Sequence, residues 1–283
     1  RWRTYTGLCP FHKEKTPSFH VNQDRGFFHC FGCKESGSVV DFVMKQEGAT
    51  FPEAVRALAE RVGIVIEEDK RERSEVDRQK KARDDLYAVN QLAATFFEEQ
   101  LRQHSDAHYA HEELEKRGLR AGHDPKIDDT LQAFRIGYAP ASWDGLTTFL
   151  RAQGASVVAA ESVGLLVPRS SGTGHYDRFR HRLMFAVMDV QGRVVAFSGR
   201  ALRDHPSEKK SEGPTPKSIN SPESPIYTKG QNLFGLYQAR HEIRADGNAV
   251  LVEGNFDVVS LHARGLGTAV APLGTAFTVE QAK

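Results

Sequence analysis

The sequence has 283 residues, of which 39% are hydrophobic and 27% are charged, a composition typical of a globular protein with two or three packed units. No segment approaches the ~18 uncharged apolar residues that span a bilayer, and the start, Arg1-Trp2-Arg3, lacks the apolar core of a secretory signal, so we expect a cytoplasmic protein without a membrane partner. The net charge is +1, but 12 Lys and Arg against 7 Asp and Glu between His175 and Arg244 indicate a local positive surface.

The first candidate element contains all three cysteines, arranged as two close pairs of metal ligands. Cys9-Pro-Phe-His12 is followed, after 17 residues, by Cys30-Phe-Gly-Cys33. An odd number of cysteines argues against a set of disulfides, and each pair can form one half of a tetrahedral Cys₃His zinc site. Because four protein ligands leave no open coordination position, the zinc is predicted to be structural.

Two other histidines are rival ligands in this region. His20 breaks the paired spacing, and His29 lies next to Cys30 on a predicted strand, so its side chain points to the opposite face. We therefore assign the fourth ligand to His12, with a β-hairpin between the two pairs of ligands. The alternative is that three buried free cysteines lie beside a histidine by chance.

Aromatic and basic residues surround the predicted zinc site. Such a mixture can stack bases and follow the phosphates of single-stranded DNA. About half of the aromatic residues, however, are needed to build the core of so small a unit. The residues concerned are Phe11, Phe19, Phe27, Phe28, Phe31, Lys13, Lys15, Arg25 and Lys34.

Helical patterns dominate the next hundred residues. Two short helices are predicted at Val39 to Met44 and Phe51 to Val62, from the helical spacing of their apolar residues. From Glu67 to Asp85 nearly every residue is charged, which predicts either a linker or an exposed charged helix, and both separate two domains. A helical apolar face then runs from Leu86 to Leu101, and a further helix is predicted at His111 to Arg117.

Strand patterns begin near the middle of the chain. Leu183 to Val190 and Arg193 to Ser198 are apolar runs joined by Gln191-Gly192, which predicts a hairpin with a two-residue turn. Pro206 to Pro225 is predicted to be an exposed loop. Three arginines before the hairpin alternate at strand spacing, and they either line one face or pair with acidic neighbours such as Asp177. They are Arg178, Arg180 and Arg182.

The last segment has the pattern of a βαβ unit. Ala249 to Val252 is a predicted buried strand, Phe256 to Arg264 a helix and Thr268 to Ala271 a second strand. This order predicts a parallel pair of strands whose carboxyl ends border a ligand crevice. Glu253 lies at that edge, and Asp257 is expected to cap the first turn of the helix.

Several stretches of the sequence resemble one known family. Cys9-Pro-Phe-His-Lys-Glu-Lys-Thr-Pro-Ser-Phe19, followed by Phe28-His-Cys-Phe-Gly-Cys33, is similar to the zinc domain of bacterial replicative DNA primases of the DnaG type. The resemblance continues in order at Glu115 to Leu119, Ile136 to Pro140, Asp177 to Arg180, Gly192 to Phe197, Ser218 to Glu223 and Leu251 to Gly254.

The resemblance implies a multidomain fold of the α+β and α/β classes. A small zinc-ribbon domain at 1–66 and a charged linker at 67–85 are expected to precede a mixed α/β core at 86–245. The core is a basic subdomain and leads into a truncated Toprim (βαβ) fold at 246–283.

The same resemblance implies an enzyme that makes short RNA primers on single-stranded DNA from ribonucleoside triphosphates, for the replicative helicase and polymerase. It assigns Glu253 to catalysis and to a divalent cation, Mg²⁺ or Mn²⁺. It also assigns a positive surface to the phosphates of the template or the incoming nucleotide. The residues of that surface are Arg117, Arg200, Lys217 and Lys229.

This sequence departs from the family pattern in three places. The family's Toprim pattern includes an Asp-x-Asp strand end that does not occur before Lys283, and a helix precedes the zinc domain before the position of Arg1. We therefore expect a fragment that cannot polymerise primers alone, with the helicase contact in a C-terminal domain. The third departure is Asn255-Phe256, where an aromatic residue is expected directly after Gly254.

Two other interpretations remain open at this point. A phage-type or organellar primase–helicase more often uses four cysteines for zinc. A non-catalytic zinc-ribbon DNA-binding protein with a Toprim-like scaffold differs only in the absence of the downstream acidic residues.

Overall fold

The computed structural model describes residues 4–64, 70–170, 172–203, 216–274 and 276–282. The chain divides into two compact units, Arg1–Glu75 and Val76–Lys283. Among the helices in the described ranges, none has the length and apolar character needed to cross a bilayer.

The first unit is a small antiparallel sheet followed by two helices. The strands are hydrogen-bonded in sequence order, β1-β2-β3-β4. Its apolar centre is formed by buried Phe19 and Phe28 together with two of the cysteines. The elements are β1 (Thr4–Gly7), β2 (Phe19–Asn22), β3 (Phe27–Cys30), β4 (Ser36–Ser38), α1 (Val39–Glu47) and α2 (Phe51–Arg61).

Local capping explains where both helices begin, and both predicted helices are confirmed. Ser38 and Asp41 form a capping box at the start of α1, in which each side chain bonds the other residue's backbone N–H. At the start of α2 the Glu53 carboxylate accepts the Thr50 N–H at 2.8 Å and the Thr50 hydroxyl at 2.7 Å, next to Pro52 in the first turn. These sequence signals therefore satisfy N–H groups that the helices leave unpaired.

The charged segment forms a helix wherever the structure describes it. Residues 65–69 lie outside the described ranges, but α3 (Lys70–Gln103) covers the rest of the predicted linker. Of the two predicted alternatives, the helix is therefore the correct one from Lys70 onward, and residues 77–84 of it are exposed. From Leu86 to Leu101 the same helix carries the apolar face expected for it, and this face is buried.

The second unit is built around a four-stranded antiparallel sheet with the order β10-β9-β8-β5. Helices and a two-stranded ribbon surround it. The elements up to β10 are a short 3₁₀ turn (Ser105–Ala107), α4 (His108–Glu115), α5 (Pro125–Ala133), β5 (Gly137–Ala139), α6 (Gly145–Ala152), α7 (Val157–Ser162), β6 (Leu166–Pro168), β7 (His175–Asp177), β8 (Arg182–Met188), β9 (Val194–Ala201) and β10 (Ser218–Asn220).

Both faces of this sheet are covered, because successive residues of β8 point to opposite sides. Leu183 and Phe185 face a core shared with Phe256 of the last segment. Met184 and Ala186 face a second core, shared with Phe97 of α3. A strand buried on both sides explains the continuous apolar run from which it was predicted.

The β8–β9 hairpin is confirmed, but its predicted turn is too short. The Gly192 N–H donates to the Asp189 carbonyl and the Asp189 N–H to the Arg193 carbonyl, both at 3.0 Å, so three residues form the loop. Gly192 has a φ of +83°, the left-handed conformation that this three-residue turn requires after a type I turn. The Asp189 carboxylate also accepts the N–H groups of Gln191 and Arg193, which stabilises the longer turn.

The last segment contains the predicted parallel βαβ unit. Strand β12 pairs in parallel with β13, and β13 pairs with β11 on its other side. The prediction of a buried first strand is wrong, since Leu251 is 46% exposed. Within the described residues β12 pairs only with β13 and is an edge strand. The elements are a 3₁₀ turn (Lys229–Gln231), β11 (Leu233–Phe234), α8 (Leu236–Asp246), β12 (Val250–Leu251), α9 (Asn255–Ala263) and β13 (Ala269–Pro272).

The predicted exposed loop from Pro206 to Pro225 is only partly a loop. Residues 204–215 lie outside the described ranges. Beyond them, β10 pairs with β9 over three residues and adds a strand to the central sheet. The polar composition of this strand is explained by its edge position, where one side of the strand pairs with β9.

Candidate metal centre and nucleic-acid site

The four predicted zinc ligands converge at one end of the small sheet. Their ligand atoms all lie within 4.8 Å of one another. The Sγ atoms of Cys9 and Cys33 are 3.9 Å apart, and Cys30 Sγ is 3.9 Å from His12 Nδ1. Zinc bonds of about 2.3 Å to sulfur and about 2.0 Å to nitrogen place neighbouring tetrahedral ligands roughly 3.5–3.8 Å apart. The cluster therefore fits a four-coordinate zinc ion.

The electrostatics of the cluster favour a thiolate at Cys30. Burial acts to raise the pKa of this thiol, but hydrogen-bond contacts with Ser18 and Cys33 outweigh burial and lower the pKa to about 6. Burial raises the pKa of Cys9. Since the thiolate is the form that binds metal, Cys30 is prepared for zinc at neutral pH.

The aromatic residues around the cluster divide between its core and its surface. Phe11, Phe19, Phe28 and Phe42 contact one another with ring centres 5.3–6.0 Å apart. Phe27 and Phe31 are 41% and 58% exposed. The expectation that about half of these rings build the core is confirmed, and two remain on the surface.

The rival histidines lie on the other face of the sheet. His20 and His29 are directly paired across β2 and β3, whereas Cys30 pairs with Phe19 on the buried face. The ring of Phe31 stands edge-on to both, with ring centres 5.0 Å from His20 and 4.6 Å from His29. The pleat of the strands therefore directs both histidines away from Cys30, as the alternation of side chains predicts.

Glu253 follows β12 at the carboxyl edge of the parallel pair, and its side chain is exposed. Immediately after it, the Gly254 N–H donates to the Asp257 carboxylate at 3.1 Å. Asp257 therefore caps the first turn of α9, as expected. Glu253 and Asp257 are thus two exposed carboxylates at this strand end, and Asp257 is the one that bonds the backbone of its own helix.

Arg200 lies near the end of β9 on the face that packs against the βαβ unit. It is opposite Leu183 in β8 and Ser218 in β10, and directly paired residues share a face of the sheet. Lys217 immediately precedes β10, and its carbonyl accepts the Ala201 N–H at 3.0 Å. The structure thus brings the backbones of these two predicted cations close together, with Lys217 beside Ala201 and Arg200 beside Ser218.

Arg117 and Lys229 occupy different surroundings. The Arg117 guanidinium lies 4.5 Å from the centre of the Phe256 ring, three residues beyond Glu253, and 3.7 Å from Glu113. The Lys229 N–H donates to the Glu223 carboxylate at 3.0 Å, which fixes its backbone. Both residues therefore border the βαβ unit or the segment leading into it.

The three alternating arginines do not share one face, because only Arg182 belongs to strand β8. Arg182 is buried, and its guanidinium donates to the carbonyls of Gly199 and Pro216 at 3.1 Å. Arg178 Nε donates to the Gly164 carbonyl at 2.6 Å. Arg178 and Arg182 therefore hold backbone segments together, whereas Arg180, the third arginine, donates to the nearby Asp177 carbonyl and also contacts aromatic rings.

That third arginine, Arg180, belongs to an aromatic cluster that the sequence did not indicate. Its guanidinium lies 4.0 Å from the centre of the Trp143 ring and 5.3 Å from that of Tyr176. Trp143 is 56% exposed and contacts Tyr176 edge-on at 5.6 Å. A tryptophan in the polar stretch after Pro140 was the available signal, since no apolar pattern explains it.

Known proteins share the features of this chain in the same order. A profile described as the CHC2 zinc finger matches residues 1–74, one described as the DNA primase catalytic core, N-terminal domain, matches 96–240, and a Toprim domain profile matches 247–283. A DNA primase of Halalkalibacterium halodurans is 41% identical over 99% of this chain and 44% of its own length. A DNA primase of Deinococcus radiodurans is 43% identical over 98% and 43%. The chain therefore spans less than half of the length of these relatives.

Solved structures give the same result. The Aquifex aeolicus primase, with zinc-binding and RNA polymerase domains, is 34% identical with a TM-score of 0.59, covering 99% of this chain and 62% of that one. A DnaG primase catalytic domain bound to single-stranded DNA is 36% identical with a TM-score of 0.59, covering 71% and 59%. At 34% and 36% identity, the chain resembles these structures in sequence as well as in fold.

Proposed function

The chain belongs to the DNA primase family, and from this premise we propose that it is the zinc-binding and early polymerase portion of an enzyme that makes RNA primers on single-stranded DNA. The observation that carries the proposal is the match of the primase catalytic core to residues 96–240, in a chain whose zinc-finger cluster is geometrically complete. Ribonucleoside triphosphates are the proposed substrates.

We assign one structural zinc ion to Cys9, His12, Cys30 and Cys33. The four ligand atoms lie at separations that suit a tetrahedral ion, and the small apolar core of this unit lies directly beside them. Because the protein supplies every ligand, the zinc stabilises the fold of the unit and is not placed to bind substrate.

Glu253 is the proposed ligand of a divalent cation, Mg²⁺ or Mn²⁺. When bound, such a cation offsets the charge of the phosphates and of the attacking ribose hydroxyl. Mg²⁺ is usually held by a few carboxylates together with phosphate oxygens and water, so one glutamate requires further acidic ligands. The Asp-x-Asp strand end expected beyond Lys283 would supply them.

Four cations are proposed to hold phosphates of the template or of the nucleotide. Arg200 is on β9 and Lys217 is next to β10, with their backbones close together, and Arg117 contacts the helix that follows Glu253. Arginine can grip two phosphate oxygens at once, which suits it to position a triphosphate. Lys229 is the fourth.

Single-stranded template is proposed to contact exposed aromatic residues in each unit. Phe27 and Phe31 are exposed in the zinc-binding unit, and Trp143 with Arg180 forms a stacking surface in the second. Bases stack on such rings without regard to sequence. A replicative helicase is the expected partner of a C-terminal region.

The proposal is tested with the full-length product of the gene, incubated with single-stranded DNA, labelled ribonucleotides and Mg²⁺. We expect RNA products of primer length, and their loss in Glu253→Gln with DNA binding unchanged. Asp246→Asn, an exposed acid of the same segment, is the matched control and should retain synthesis. DNA and zinc binding without synthesis by the wild-type protein would favour the non-catalytic interpretation instead.

A further inference from the structure

Glu14, between the two pairs of zinc ligands, contacts three residues around it, Cys9, His12 and Ser18. Its side chain is only 11% exposed. One oxygen accepts the N–H groups of Cys9 at 2.7 Å and Ser18 at 3.2 Å. The other accepts the Ser18 hydroxyl and lies 3.2 Å from His12 Nε2. A single carboxylate thus holds both ends of the ligand loop and the ring of the histidine within it.

The contact with His12 determines which ring nitrogen is free for the metal. A carboxylate oxygen lies 3.2 Å from Nε2, and its negative charge favours the proton on this nitrogen. Nδ1 then bears the lone pair, and Nδ1 is the nitrogen that faces Cys30 Sγ at 3.9 Å. The two contacts agree, since one nitrogen points to the carboxylate and the other into the thiol cluster.

Gly32 packs closely against this arrangement and leaves no room for a side chain of its own. A β-carbon on Gly32 would lie 2.7 Å from His12 Nε2 and 2.8 Å from the Ser18 hydroxyl. The turn between Cys30 and Cys33 therefore closes directly over the Nε2 edge of the ring. Any side chain at position 32 would displace the histidine or the serine that holds Glu14.

We propose that Glu14 is the positioning residue of the zinc site, which fixes His12 in the tautomer that binds zinc through Nδ1. The proposal rests on the proposed zinc ligands and goes beyond them by naming the residue that orients one. Carboxylates that accept the second N–H of a zinc histidine hold the ring and make it a better donor, and losing one typically weakens metal binding by about 10- to 100-fold.

The test compares zinc affinity in Glu14→Gln and wild type, by competition with a chromophoric chelator. Glutamine can keep the oxygen that accepts from Cys9 and Ser18, but it replaces the oxygen near His12 with an NH₂ group, which cannot accept. We expect affinity to fall by about 10- to 100-fold while the zinc-saturated circular dichroism spectrum is unchanged. Glu35→Gln, a partly exposed acid of the same unit paired with Lys45, is the matched control.

A spectroscopic readout separates orientation from general stability. In protein loaded with ¹¹³Cd, scalar coupling should appear at Nδ1 of His12, with a proton retained on Nε2. Coupling at Nε2, or zinc affinity in Glu14→Gln equal to that of the control, would overturn the role of Glu14. If the wild type binds no zinc at these four residues, the zinc assignment itself fails, which is a different result.

Discussion

The side-chain amide of Asn220 on β10 donates a 3.2 Å hydrogen bond to the carbonyl of Leu273, directly after β13. Asn220 is opposite Ser198 on β9, two positions before Arg200, and so shares its face of the sheet. The bond therefore joins the central sheet to the strand whose carboxyl end adjoins that of β12, where Glu253 lies. Through it, the proposed phosphate-binding strands and the proposed cation ligand are held in one framework.

A substitution at Gly274, the residue after Leu273, tests the contribution of the bond between Asn220 and Leu273. Its φ is +75°, and a β-carbon there would lie 2.9 Å from the Asn220 amide nitrogen. Gly274→Ala should therefore lower the free energy of unfolding by about 1–2 kcal/mol, from left-handed backbone strain and loss of the hydrogen bond. Urea denaturation measures the change.

The double substitution separates these two causes. Asn220→Ala removes the same hydrogen bond without affecting the backbone of Gly274. Because the bond can be lost only once, the double variant should be less destabilised than the sum of the two single variants. Strict additivity would show that Gly274 and Asn220 act independently.

The Trp143–Arg180 surface predicts a direct optical signal for template binding. Bases stacked on Trp143 should quench its fluorescence, observed in a Trp2→Phe background that leaves one tryptophan. Trp143→Ala and Arg180→Ala should each weaken single-stranded DNA binding by roughly ten-fold, within the range found for stacked bases. Arg244→Ala, an exposed cation of α8, serves as the control. Equal affinity for single-stranded DNA in all three variants would show that the DNA does not contact this surface.

The parts of the fold that follow from local patterns could be predicted from the sequence. The polar residues Ser38 and Thr50 indicate where the two short helices begin. The parallel βαβ order follows from the apolar runs before and after Gly254. The zinc cluster is equally local, because each close pair of ligands occupies one turn.

The parts that depend on distant contacts could not be predicted. The Trp143–Arg180 contact joins residues 37 positions apart in the chain, and no periodicity relates them. Arg182 has the spacing of a surface cation, yet it is buried, and its guanidinium donates to the carbonyls of Gly199 and Pro216. Spacing defines which face a residue takes, whereas only the fold defines what covers that face.

Asn90 of α3 is completely buried, and among the described residues neither its amide nitrogen nor its oxygen has a hydrogen-bond partner. A buried polar group without a partner costs about 1–3 kcal/mol. Asn90→Leu, which has a similar branched shape, should therefore raise the free energy of unfolding by about 1 kcal/mol or more. Asn90→Asp should lower it, because it buries a charge. A destabilised Asn90→Leu variant would mean that the amide is satisfied in solution.

His262 should make the second unit less stable in mild acid. It lies at the end of α9, where Nε2 donates to the Ala269 carbonyl at 2.9 Å and the ring stands edge-on to Phe134 at 4.9 Å. Burial lowers the pKa of His262 below its ordinary value of 6.5, and this effect exceeds the opposite influence of the Ala269 carbonyl and of Glu242.

The sign of the effect follows from proton binding in the two states. Between the lowered native pKa and 6.5 the unfolded chain binds more protons at His262, so stability rises with pH across this window and is lost as pH falls below 6.5. His262→Gln keeps a donor for Ala269 but does not titrate. Urea unfolding at about pH 7.5 and about pH 5.5 should therefore show a smaller loss of stability for the variant than for the wild type. Equal losses would assign the acid sensitivity of the unit to other groups.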